Sequence, residues 1–177
     1  MKWTLKSKKE VYKNQYMVVT EDEVITDKGY NLTYGIVHKK EAVGIIPIDG
    51  EYIYLVKQYR YPIDFDSWEF PQGHFEHKSI QEAAVHELHE EAGLSANSFK
   101  MIGNFYLAPG HNTQEYWVYV ATGLKEVGQK LDPDEEGMIV GKFKISEVEK
   151  MISSGIIKDG PTISIFKLLE IYLKKHG

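Results

Sequence analysis

Gly73-His-Phe-Glu-His-Lys-Ser-Ile-Gln-Glu-Ala-Ala-Val-His-Glu-Leu-His-Glu-Glu-Ala-Gly-Leu94 carries more information than any other stretch of this chain. Ser79 stands as an N-cap with Glu82 three residues on, the pattern of a capping box. Ile80, Ala84 and Leu88 recur at helical spacing as a buried stripe, and Gly93 supplies the residue that ends the helix. On that helix Glu87, Glu90 and Glu91 lie three or four apart, so their side chains crowd one side. Like charges at this spacing destabilise a helix unless something positive sits among them. A hard divalent cation bound by carboxylate oxygens is the natural neutraliser. The helix is therefore a candidate site for metal-assisted chemistry on a phosphate.

The flanks read mostly as strands. Tyr16–Thr20, Glu23–Thr26 and Asn31–His38 are rich in β-formers, with an Asp27-Lys-Gly29 turn between the last two. Ala42–Ile48 and Tyr52–Val56 flank Asp49-Gly50, a strong hairpin signal. Trp68–Gly73 is a short extended piece. Beyond the helix, strands are expected at Phe99–Ile102, Tyr116–Ala121 and Met138–Ile145, with an acidic loop over Leu131–Gly137. Ser146, with Glu149 behind it, is expected to cap a helix running through Ile152, and Thr162 to open a last helix to about Lys174. Strands, one helix, strands and then helices make an α+β pattern with mixed pairing rather than regular βαβ alternation.

Composition narrows the function. At 177 residues the chain is of one-domain size, and 42% hydrophobic with 27% charged residues is ordinary for a soluble globular protein. It has no apolar run of about 18 residues that would span a membrane. The N-terminus lacks the pattern of a secretory signal. The absence of cysteine excludes disulfides and thiolate metal sites and fits a cytoplasmic protein. A net charge of -5 without a basic block argues against nucleic acid. Of 21 basic residues only Arg60 is arginine. Its planar fork grips phosphate or carboxylate in a way lysine cannot copy.

The segment 73–94 resembles the Nudix box, whose pattern is Gly, five residues, Glu, seven residues, then Arg-Glu-aliphatic-any-Glu-Glu-any-Gly-aliphatic. Gly73, Glu87, Leu88, Glu90, Glu91, Gly93 and Leu94 match it. Gln58-Tyr-Arg-Tyr-Pro62 and Trp68-Glu-Phe-Pro-Gln-Gly73 look like the approach to the box in ADP-ribose pyrophosphatases and related nucleoside-diphosphate-sugar hydrolases. Pro109, at its distance from Leu94, is similar to the marker of that branch. Gly155-Ile-Ile-Lys-Asp159 with Thr162-Ile163 resembles the branch's C-terminal end. Three departures stand out: the loop after Gly73 is one residue short, Lys78 replaces the first Glu, and His86 replaces the Arg that helps hold the glutamates. Replacement of both partners together is the favoured reading, because the carboxylates remain and an imidazole still donates to one. Decay of the box is the other.

The resemblance implies a Nudix α/β/α sandwich with a mixed β-sheet and an N-terminal antiparallel strand layer. Residues 1–40 would form a dimerisation layer of the same domain and residues 41–177 the hydrolase part. It implies Mg²⁺, or Mn²⁺, held by Glu87, Glu90, Glu91 and the Gln72 carbonyl, for water attack on a pyrophosphate. Glu135 is the first choice and Glu136 the second for a general base in the mobile loop, where they follow Asp134; a plain polar loop is the bland alternative. Arg60 would bind a substrate phosphate, and Glu69 would line the pocket or stand as a strand-end charge. Tyr12 and Tyr16 lie where the related hydrolases stack a nucleobase across a homodimer interface. The substrate implied is ADP-ribose or another nucleoside-diphosphate sugar. A Nudix-fold nucleotide sensor without turnover is the alternative, motivated by Lys78 and His86; a nucleoside-triphosphate sanitiser fits the N-terminal strands and Pro109 poorly. Zinc is disfavoured: His86 and His89 are three apart, not the four a zinc-protease helix needs. His74, His77 and His111 read as surface or pocket-mouth residues.

Overall fold

The hairpin expected at Asp49-Gly50 forms between β4 (Ala42–Asp49) and β5 (Tyr52–Arg60), and its shape lays out the site. The structure, a computed structural model, describes residues 2–75 and 79–176. β4 and β5 pair only beside the turn, at Ile48↔Ile53 and Asp49↔Tyr52, and then diverge. The segment that follows bridges the divergence. β6 (Phe65–Glu69) pairs with β5, and β7 (Gln72–His74) pairs with β4 through Gly44↔Gln72. Between them the Ile45 N–H donates to the Pro71 carbonyl at 2.9 Å. Glu69, Gln72 and Gly73 are thereby held along the open side of the hairpin.

Two compact units are present, one of residues 1–41 and 105–115, the other of 42–104 and 116–177. In the larger unit the sheet order is β10-β5-β4-β9-β8, with β8 as Leu94–Tyr106, β9 as Glu115–Glu126 and β10 as Ile139–Lys144. β4 runs parallel to β9 while β10 and β5 are antiparallel, so the sheet is mixed as expected. α1 (Ile80–Ala92) buries Ala83, Ala84, Leu88 and Ala92 against Val43, Ile45, Val56, Tyr119 and Met138. α3 (Gly160–His176) lies against the other pleat of β4. A Cβ on Gly44 would stand 2.4 Å from Ile165 Cδ1, so any larger residue would force the Ile165 side chain to shift. Helices on both faces of a mixed sheet make the α/β/α sandwich. Among the described residues, no helix is long and apolar enough to cross a membrane.

The smaller unit is an antiparallel meander of β1 (Thr4–Lys13), β2 (Val18–Ile25) and β3 (Asn31–His38), with segment 105–115 on β3 through Val37 and Thr113. Every residue of β1 is exposed. Leu5, Val24 and Leu32 form one row across the three strands.

Helix ends differ from expectation at α2 (Ile145–Ser153). It starts one residue before Ser146, and the Glu147 carboxylate, not Glu149, accepts the N–H of Lys144 at 2.7 Å. α3 also starts earlier than Thr162. Asp159 caps it, accepting the Thr162 N–H at 2.8 Å, and Pro161 occupies the first turn, where its missing N–H costs nothing.

Candidate active site

α1 is set by its two ends. The Ser79 hydroxyl accepts the Glu82 N–H at 3.1 Å, and Gly93 closes the helix at φ 63°. The C-terminal carbonyls are satisfied by the next crossing of the chain: Gln129 Nε2 donates to Glu91 O, Lys130 N to Glu90 O, and Val127 N to Gly93 O. A Cβ on Gly93 would meet the Gln129 backbone nitrogen at 2.8 Å, a second reason for glycine there.

The three glutamates occupy different environments. Glu91 is buried, and its Oε2 accepts the Gln72 N–H at 2.8 Å. Its carboxyl is held well above the usual range by burial first and by the Glu87 charge second; the Gln72 bond opposes this, and Glu135 adds to it. Glu87 lies directly against Gly73. A Cβ at residue 73 would come within 2.1 Å of the Glu87 carboxyl carbon. Glu90 is half-buried and meets His86 Nδ1 at 2.7 Å, an i,i+4 pair. Ligand atoms of His86, Glu87 and Glu90 all lie within 4.8 Å of one another. The site thus concentrates negative charge, with hard oxygen donors, where a divalent cation would relieve it. The replacement at the box arginine is intelligible here: His86 still offers a donor to Glu90. Lys78 and His77 lie outside the described residues.

Beside this cluster runs a buried polar network. Arg60 Nε donates to Glu69 Oε1 at 2.9 Å, and Nη2 donates to Glu69 Oε2. The fork considered above for a phosphate is thus closed on a carboxylate. Burial works against the Arg60 charge, but Glu69, Glu91 and Asp159 more than offset it, and the guanidinium is held above its ordinary range. Gln72 Nε2 donates to Glu69 Oε2 at 2.7 Å and reaches Asp159 Oδ2 at 3.4 Å. Burial, then the Glu69 charge, raises the Asp159 carboxyl. Burial, then Asp159, likewise raises the Tyr116 phenol.

Asp159, Thr162 and Tyr116 join this network without having been named as site residues. The Asp before Gly-Pro at a helix start was a capping signal for Asp159; Tyr116 read only as a strand residue. Glu135 lies in a single 3-10 turn, Pro133–Glu135, with its carboxylate on the Asp132 N–H at 3.0 Å, and its charge reaches Glu91. Glu136 is exposed. Tyr12, Tyr16 and Pro109 belong to the smaller unit, where both tyrosines are exposed, as is His111.

A profile of the NUDIX domain matches residues 38–156. The ADP-ribose pyrophosphatase of Mycobacterium tuberculosis (strain ATCC 25618 / H37Rv) is 31% identical over 160 residues, covering 88% of this chain and 76% of that protein. The ADP-ribose pyrophosphatase of Bacillus subtilis (strain 168) is 26% identical over 168 residues, covering 93% and 91%. The crystal structure of an ADP compounds hydrolase superposes with a TM-score of 0.88 at 21% identity, covering 100% of this chain and 97% of that one, a likeness of fold. With the box on a capped helix, its glycine pressed on Glu87 and Glu91 bonded to the strand beside it, the chain belongs to the Nudix family, in the ADP-ribose pyrophosphatase branch, as a pyrophosphohydrolase.

Proposed function

We propose that this enzyme hydrolyses the pyrophosphate bridge of ADP-ribose or a closely related nucleoside-diphosphate sugar, releasing a nucleoside monophosphate and a sugar phosphate, with Mg²⁺ or Mn²⁺. The observation that carries the metal part is the packing of Glu87 against Gly73, beside the Gln72 N–H bond to Glu91. It supports a metal site by bringing Glu87 and Glu91 beside the segment that carries Gln72, with Glu90 next to Glu87 on the same helix. Glu87, Glu90, Glu91 and the Gln72 carbonyl would hold the ion. When bound, it lowers the pKa of a water and neutralises charge on the phosphates. His86 orients Glu90 through their hydrogen bond. Glu135, whose charge is felt at Glu91, is the proposed general base, with Glu136 the second choice. Arg60 stays on Glu69 and meets a substrate phosphate with the remaining edge of its fork.

The proposed active form is a homodimer. Exposed Trp3, Leu5, Val11, Tyr12 and Tyr16 on the small unit support this, because apolar side chains left in solvent gain by burial against a second copy. Tyr12 and Tyr16 of one subunit would stack on the base bound by the other, near Pro109. The test is product release from ADP-ribose, GDP-mannose, ADP-glucose, diadenosine polyphosphates and dGTP with Mg²⁺, Mn²⁺ or EDTA. Turnover of one diphosphate sugar that EDTA abolishes is expected. Tight nucleotide binding without turnover would replace this reading with a sensor.

A further inference from the structure

We infer that the head of α3 is part of the catalytic apparatus, with Asp159 and Thr162 as positioning residues for the strand that carries Gln72. The inference rests on the metal-dependent reading above. Two hydrogen bonds cross from α3 to segment 70–72. The Phe70 N–H donates to Thr162 Oγ1 at 3.1 Å, and Gln72 Nε2 reaches Asp159 Oδ2 at 3.4 Å. Asp159 and Thr162 are themselves locked by the cap bond between them. Thr162 and Phe70 have no exposed surface, so no water replaces this bond. On the far side of the same segment the Gln72 N–H holds Glu91. Gln72 is therefore gripped from both sides, by the carboxylate helix through its backbone and by α3 through its side chain.

The grip has a stiff foundation. Ile165, one turn beyond Thr162, rests on Gly44, and Gly44 is the β4 residue in register with Gln72. A shift of α3 toward β4 is blocked, and a shift away breaks both crossing bonds. Supporting groups of this kind commonly change metal affinity or rate by about 10–100-fold when lost. Nothing in this arrangement requires Asp159 or Thr162 to touch the substrate.

The test compares Thr162→Val, which keeps the shape and loses the acceptor, with Thr162→Ser, which keeps the acceptor. Mn²⁺ affinity is read by electron paramagnetic resonance of the free ion, without substrate; turnover is measured separately at saturating metal. Thr162→Val is expected to weaken Mn²⁺ binding and lower kcat, each by about 10-fold, while substrate KM stays within about twofold. Thr162→Ser is expected to restore both. Should Thr162→Val not fold, Asp159→Asn takes its place. An asparagine still caps α3 but loses the charged acceptor for Gln72, and the same weakening of Mn²⁺ binding is expected. Wild-type Mn²⁺ affinity in folded Thr162→Val, or in Asp159→Asn where that variant stands in, would overturn the inference. So would a serine variant as weak as the valine one. Because Mn²⁺ binding is read without substrate, failure of every diphosphate sugar to turn over would count against the proposed reaction and leave this result standing.

Discussion

Glu91, proposed as a metal ligand, opposes stability. Burial and the neighbouring Glu87 charge raise its carboxyl well above the usual range. A carboxyl raised on folding adds stability in acid, which is lost as pH rises from about 4.3 through the folded value. In EDTA, Glu91→Gln should therefore melt about 2–4 °C or more above wild type at pH 8 and with it at pH 4, as read by differential scanning fluorimetry. The same variant should lose at least ~100-fold in kcat with little change in KM. Equal melting curves at both pH values would sink the electrostatic account; a kcat within about threefold would sink the ligand assignment. Gly73→Ala makes a complementary case. Its Cβ would displace the Glu87 carboxylate, the mobile end of a side chain, so the fold should survive while activity falls by about 100-fold or more in a steady-state assay. At His86, arginine should preserve or raise activity, since the bond to Glu90 is what the position supplies; loss of activity would give His86 a role of its own.

At the level of elements, α1 was the most legible part of the chain, because both caps and the apolar stripe are local signals read within its own residues. Ser79→Ala should cost about 1 kcal/mol, a drop of about 2–4 °C in Tm by calorimetry. The hairpin was legible for the same reason. Its splaying was not, because whether β4 and β5 stay paired depends on segment 65–74 inserting beside them. β1 was hard to read: Lys6, Lys8, Lys9 and Lys13 disguise a strand, and charge suits a sheet edge. The Nudix box and its carboxylates were visible in sequence; Tyr116 and the α3 head were not named as site residues, because burial and distant partners gave them their place. Arg60 was visible as an exception in composition, while its partner, Glu69, emerged only from the pairing of β5 with β6.

For the whole molecule, the small unit poses the question of assembly. Its three-stranded sheet leaves Leu5 exposed in a row with Val24 and Leu32. If that face joins two subunits, Leu5→Lys should convert a dimer into a monomer by light scattering coupled to size exclusion, with the α/β/α unit still folded by circular dichroism. A monomeric wild-type protein at micromolar concentration would end the dimer proposal. Substrate affinity should fall with dissociation if Tyr12 and Tyr16 serve the neighbouring subunit.

The bond between Phe70 and Thr162 spans a sequence separation of 92 residues. Contacts of that range form late, because a long loop must close before they stabilise anything. During synthesis the carboxylate helix leaves the ribosome well before Thr162 does, and domains begin to organise as they emerge. The nascent chain thus carries its acidic residues for some time without the clamp that orders them. Competence for hydrolysis is expected only once α3 has joined the fold, so a chain truncated before Thr162 is expected to be inert toward the nucleotides around it.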